Sequence, residues 1–237
     1  MKIFNCLKLV LSLVVLSFSV SGYSDTENNT NIQAADVACR YETKVIQNNK
    51  SKKPSVNPWF FWRTSNMVQT QDADGDHGEI WLRTVNDSIQ YRKLYHADKT
   101  AVEYMPTDMP TNNMSFNWDK LSNMLSQSEL DELKWVKKTH VMNRNAEVYK
   151  GKIGKQAIEV VWLTDEKLPA SIIKKDKVGT IELHLVEIEA LSVARKKPLD
   201  VEEIANYRHI DATDFGDMEN DPFVKKVTAG NGHHHDH

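Results

Sequence analysis

Catalytic signatures are what this 237-residue chain most plainly lacks. It carries no Gly-x-Ser-x-Gly, no His-Glu-x-x-His and no phosphate-cradling glycine loop, and glycine itself numbers only nine. Those absences exclude the serine-hydrolase elbow, the zinc-protease helix and the P-loop, and the chain is expected not to be an enzyme. His96 and His140 each stand alone in strand-like surroundings, where an isolated imidazole is structural or solvent-facing. Cysteine is almost absent too, with only Cys6 and Cys39. Cys6 falls in an N-terminal segment expected to be removed, which leaves Cys39 without an intramolecular disulfide partner and reading as a buried, small apolar side chain.

Long hydrophobic runs are missing everywhere except the start. Lys2 and Lys8 precede an apolar stretch, Leu9 to Val20, that ends in the small residues Ser19, Ser21 and Gly22. A charged start, a short apolar middle and a small-residue exit make a secretory signal peptide over residues 1–24. The run is shorter than the ~20 apolar residues a spanning helix needs. Cys6 sits ahead of it instead of after it, which excludes a lipid-attachment site. Export to the periplasm is therefore expected, with no transmembrane segment left after cleavage. Losing residues 1–24 removes two lysines and no acids, so 28 basic residues face 33 acidic ones. The two signs are interspersed, which excludes an electrostatic nucleic-acid footprint.

What the chain does have is alternation. Residues 25–38 are polar and aperiodic, a flexible leader. A β domain is expected over 39–195, its strands marked by period-two patterns at Tyr41–Gln47, Trp59–Thr64, Met67–Thr70, Glu79–Thr84, Ile89–Tyr95 and Thr100–Tyr104. The Pro- and Asn-rich stretch 105–113 breaks this meander. A helical insert over 117–133 follows, with Asn117 as one N-cap and Ser128 opening a second turn, and it is expected to cover the open face of the sheet. Strands resume from Lys134. In the last of them the in-phase series Ile181, Leu183, Leu185 slips to Val186 and Ile188, which predicts a bulge. Residues 196–229 read as a short helix after Pro198 and then an irregular acidic segment from His209, and 230–237 as a His-rich tail. The fold class is α+β, mostly antiparallel β.

The segment Tyr149 to Ile188 resembles the C-terminal half of the periplasmic lipoprotein-carrier superfamily, the LolA, LolB and RseB-like proteins. The residues that carry the resemblance are the strand ending Val160-Val161-Trp162-Leu163, the turn Thr164 to Lys167, the Leu168-Pro169 step, and the strands Ile172–Lys175 and Gly179–Ile188. The block His77 to Tyr104 is compatible with the earlier strands of that fold. The resemblance implies a curved, open antiparallel half-barrel with a helical plug and an apolar concave face able to hold acyl chains. A short insert, an acidic C-terminal segment and the His-rich tail depart from the pattern, and Arg83 and Arg92 both read as surface residues.

Three functions follow as expectations. The first is non-covalent binding of a lipid, a lipoprotein or an envelope partner on the concave face, with Trp81, Tyr91, Tyr104, Val160 and Trp162 as candidate lining. The second is metal binding, with His233, His234, His235 and His237 offering imidazoles to Zn, Cu or Ni; no other cofactor is implied. The third is a protein-interaction or sensing module without a small ligand. Asp72, Asp74 and Asp76 space like the first ligands of a calcium loop, but His77 stands where that loop needs glycine and Arg83 where it needs glutamate, so they read as a hairpin tip. The acidic run Asp211 to Asp221, with Phe215, Met218 and Phe223, is expected to wrap the domain's own surface. If the tail binds metal, titration of Zn and Cu should lose its high-affinity phase in protein lacking residues 230–237; equal affinity with and without them would rule the tail out.

Overall fold

A computed structural model describes residues 35–48, 53–105 and 117–231. The expected signal peptide, the leader up to residue 34, most of the 105–113 breaker and the histidines of the tail lie outside the described residues. Six strands run up and down in succession: β1 Val37–Gln47, β2 Ser55–Arg63, β3 Met67–Asp72, β4 His77–Arg83, β5 Ile89–Tyr95 and β6 Thr100–Tyr104. The two short helices α1 Trp118–Asn123 and α2 Gln127–Asp131 come next. Five more strands follow: β7 Lys134–Val141, β8 Arg144–Ile153, β9 Gln156–Leu163, β10 Leu168–Lys175 and β11 Gly179–Ala190. After them come α3 Val201–Ala205, β12 Arg208–Asp211, a 3-10 turn over Ala212–Gly216 and α4 Pro222–Asn231. No described helix is long and apolar enough to cross a membrane.

All twelve strands form one open sheet in the order β12-β6-β5-β4-β3-β2-β1-β11-β10-β9-β8-β7. Both meanders are thus spliced by the pairing of the first strand with the eleventh, and every pairing is antiparallel except β12 on β6. This is the expected curved open half-barrel with a helical insert. Its bend has an identifiable source. Arg40 lies opposite Glu187 and Tyr41 opposite Leu185, so Val186 is the extra residue of a bulge where the apolar phase slips. A second irregularity lies between Pro169 and Ser171 of β10, and a third leaves Val136 unpaired in the edge strand β7.

Each face of the sheet is covered differently. On the outer face Ala38, Trp62, Ile80, Leu94 and Ala101 are buried beneath Ala194 and Ile204, in the segment that leads into and forms α3. On the inner face Cys39, Tyr41, Phe61, Val68 and Leu185 pack together, joined by Trp118 and Met124 of the insert. Leu125, Leu130 and Leu133 of the insert cover Ile158, Val160, Trp162 and Ile172. Fully burying side chains of this size stabilises the fold by about 1.5–3 kcal/mol each.

Three local readings change. Strand β1 starts at Val37, inside the stretch read as leader, because Val37 and Ala38 pair with Arg63 and Trp62 and are buried there. The second helix is capped by Ser126 and not Ser128: the Glu129 amide donates to the Ser126 Oγ at 3.2 Å, and the Glu129 carboxylate accepts from the Ser126 amide at 3.0 Å. That is the reciprocal capping box, set two residues earlier than expected. From Arg208 the chain is ordered into β12, which is too short at four residues to show a period. The acidic run does lie on the domain itself: Phe223 and Val224 of α4 bury against Val102 and Ile210, with Phe215 and Met218 beside them.

One buried charge ties the far ends of this chain together. Arg63, in phase with Trp59 and Phe61 on β2, is only 1% exposed. Its Nη1 donates to the Ser122 carbonyl (3.0 Å), the Asn123 Oδ1 (2.9 Å) and the Lys167 carbonyl (3.4 Å). Its Nη2 donates to the carbonyls of Ala35 (3.0 Å) and Glu166 (2.6 Å). A single guanidinium therefore fastens the chain just ahead of β1, the C-terminal end of α1 and the β9–β10 turn. The Glu166 carboxylate is engaged elsewhere, accepting from Arg144 Nε at 2.6 Å. Burial lowers the pKa of Arg63 from its ordinary value, yet five acceptors hold the charge.

Arg63→Ala should lower unfolding free energy by about 3 kcal/mol, since it strands several buried carbonyls; urea denaturation measures this. Arg63→Lys should recover only part of it, because an ammonium does not fork to five acceptors. Burial also pushes the Cys39 thiol up to about 12. Cys39 should therefore be unreactive toward a disulfide reagent at pH 8 in native protein and react fully in denaturant, as thiol titration would show.

Candidate functional site

The inner face is not filled along its whole length. Between α1 of the insert and strands β2 to β5 lies a groove of about 760 Å3. Its floor is built by strand alternation: Trp59 and Phe61 from β2, Val68 and Thr70 from β3, Glu79 and Trp81 from β4, and Lys93 and Tyr95 from β5 all point inward. Leu121 and Met124 of α1 make the wall opposite. Met124 ends the helix in a left-handed conformation, φ 63°, which turns the chain down toward α2.

Aromatic rings stiffen this floor. Trp59 stacks on Tyr41 with centroids 5.2 Å apart, and its Nε1 donates to Thr43 Oγ1 at 3.0 Å. Trp81 stacks on Tyr91, and Tyr91 lies tilted against Tyr104, each at 5.2 Å between centroids, following the cross-strand register that puts the three side by side. Tyr41 is fully buried and donates to the Pro169 carbonyl at 3.0 Å. The floor on the β1–β5 side is therefore preorganised. One donor in it is free: Trp81 Nε1 is buried and has no acceptor among the described residues.

Charges ring the groove without dominating it. Glu79 accepts from the Tyr91 hydroxyl at 2.8 Å. Burial, with the Glu79 carboxylate beside it, raises the Tyr91 pKa, and burial takes Tyr95 up to about 12. Lys120 is neutralised by Glu129 at 2.6 Å, and Lys93 lies 5.6 Å from the Tyr104 ring centroid. At the open end stand Lys174 on one side and Asp72 with His77 on the other. Burial, then the neighbouring Asp74, raises the Asp72 carboxyl above its usual value. The Asp72–Asp76 stretch is a hairpin tip, with Gly75 at φ 85° and the Asp76 amide donating to the Asp74 carboxylate at 3.0 Å.

Of the five expected lining residues the groove contains Trp81. Tyr91 and Tyr104 extend the same aromatic row into a smaller recess of about 300 Å3 beside Met105. Val160 and Trp162 lie beneath Leu125, Leu130 and Leu133 of the insert, 0% and 7% exposed, and are core. Reading the sequence missed Trp59, Phe61 and Met124, although the alternation Trp59, Phe61, Arg63 was there to mark one face. Arg83 pairs with Asp87 at 2.9 Å and Arg92 with Glu103 at 3.0 Å, both at the surface. His233, His234, His235 and His237 lie outside the described residues. Among the described residues no group of three or more His, Cys, Asp or Glu is placed to hold a metal ion.

No family model matches the chain, and no curated protein does. Several solved structures are similar to it. PNGF-II is 13% identical with a TM-score of 0.45, over 78% of this chain and 33% of that one. MucB, which has also been solved in complex with MucA(peri), is 12% identical with a TM-score of 0.42, over 73% of this chain and 59% of that one. A LolA superfamily protein from Nitrosomonas europaea is 8% identical with a TM-score of 0.27, over 70% of this chain and 88% of that one. The chain thus spans about a third of the length of PNGF-II and about three fifths of that of MucB.

Proposed function

We propose that this protein is an exported, non-catalytic carrier or binding protein of the cell envelope that takes the apolar chain of a lipid or lipoprotein into the inner-face groove. The observation that carries the reading is the unfilled space between the Trp59–Phe61–Val68–Trp81 floor and the Leu121–Met124 wall. Its volume falls within the ~300–1,000 Å3 of small-molecule sites. Binding would be driven by removing methylenes from water, about 0.8 kcal/mol for each one buried. The rigid aromatic floor keeps the ordering cost of binding low. Metal binding by the His-rich tail is a separate proposal, tested by the truncation already described.

Native mass spectrometry of protein purified from an envelope fraction should report co-purified lipid, and delipidated protein should take up a fluorescent fatty acid with a change in tryptophan emission from Trp59 and Trp81. Leu121→Glu, which sets a carboxylate against the Trp59, Phe61 and Trp81 side chains across the groove, should weaken uptake at least about tenfold (~1.4 kcal/mol) with an unchanged fold by circular dichroism. A bare polypeptide mass together with no fatty-acid uptake would reject the reading.

A further inference from the structure

At the end of the sheet where the groove opens, the β8–β9 and β10–β11 hairpins lie side by side, with Lys175 in register opposite Ala157. Their tips carry Lys152, Lys155, Lys174, Lys175 and Lys177 against the single carboxylate of Asp176. None of the five lysines has an ion-pair partner among the described residues, while their neighbours Lys150 and Lys44 pair with Glu159 at 2.9 Å and Glu182 at 3.5 Å. The tips therefore carry uncompensated positive charge, in a chain whose formal net charge is −3.

Beside these lysines Val178 is 77% exposed, and it is held there by the backbone. Its amide donates to the Asp176 carboxylate at 2.8 Å and its carbonyl accepts from the Asn48 amide at 3.0 Å. Asn48 also donates through its side chain to the Lys177 carbonyl at 2.8 Å, and Gln156 ties the neighbouring hairpin to Asp176 at 3.1 Å. Across the groove mouth the β3–β4 tip is of opposite sign, with Asp72, Asp74 and Asp76. The rim is thus polarised: a basic half studded by a fixed apolar tip, and an acidic half. Lys174 belongs both to the basic half and to the groove lining.

We propose that the basic half of this rim docks on an anionic lipid surface, with the Val178 side chain entering the headgroup layer and the lysines facing lipid phosphates. Clustered lysines near an anionic leaflet each add about a fivefold gain in binding, and the attraction is lost within a Debye length as salt rises. Repulsion of the acidic tip sets the tilt, so that the protein stands on its basic hairpins with the groove mouth next to the membrane. The inference goes beyond the groove reading and does not require that the groove hold a lipid.

The test is co-sedimentation of the purified protein with vesicles of phosphatidylcholine alone and with equimolar phosphatidylcholine and phosphatidylglycerol. Binding to the anionic vesicles should exceed binding to the neutral ones and fall as salt is added. The K155E/K177E variant should bind the anionic vesicles at least about tenfold more weakly, and Val178→Asp should weaken binding in the same direction. These side chains are exposed at hairpin tips, so both variants should melt as the parent does and keep fluorescent fatty-acid uptake in solution, which separates this outcome from that of the groove reading. Equal binding to both vesicle types would overturn the proposal. Undiminished binding by K155E/K177E would do the same, and so would capture on immobilised polyglutamate without vesicle binding, which would assign the rim to an acidic protein partner.

Discussion

Everything that places the groove passes through the buried guanidinium of Arg63. An open sheet of twelve strands has no closing ladder, and backbone pairing does not tie its helical insert to the start of its first strand and to the β9–β10 turn. Five hydrogen bonds from one side chain do. The acceptors are four carbonyls and one amide oxygen instead of a carboxylate, so the contact depends on the chain being folded at three places at once. A lysine or a neutral amide lacks the reach and number of donors for it. The wall of the groove formed by Leu121 and Met124 stands where it does because the residues next to it, Ser122 and Asn123, are bound to β2.

The bulge at Val186 works with that anchor. It lets Tyr41 and Leu185 stay inside while the two strands turn, so the inner face bends around the insert and the outer face is left for the segment ending in α3. One sheet thus has two apolar faces, which a flat amphipathic meander would not need. The inner face is covered at both ends, by α1 and α2 and by α4, and open between them. The groove is the part of the inner face left over when short helices cover a wide sheet.

Period-two alternation makes most of the strands legible, and the phase slip at Val186 is visible in the sequence itself. Boundaries failed where the deciding contact is remote: Val37 and Ala38 show no period of their own after the polar leader, and pairing with β2 makes them strand. The same holds for β12, whose four residues are ordered by β6 and α4. Within the site, Trp81 was legible as an inward aromatic. Val160 and Trp162 face inward too, but period says which face a residue takes and not which part of that face a helix will cover. Arg63 hid behind its own chemistry: a charged residue ending an aromatic strand reads as a solvent-facing terminus, although its phase with Trp59 and Phe61 pointed inward.

The two margins of the sheet are finished in different ways, and this bears on how copies of the chain behave toward each other. On one margin β12 lies parallel to β6 and is overlaid by α4, so the last ladder there is only four residues long. The other margin is β7, whose ladder is kinked at Val136 and which carries Lys134, Lys137 and Lys138 in the open. A second copy offered to that margin meets a broken row of amides and three ammonium groups, which opposes strand-by-strand stacking. An open half-barrel with a wide apolar interior can therefore stay a separate particle at concentrations where a smooth-edged sheet of the same size would grow into fibres.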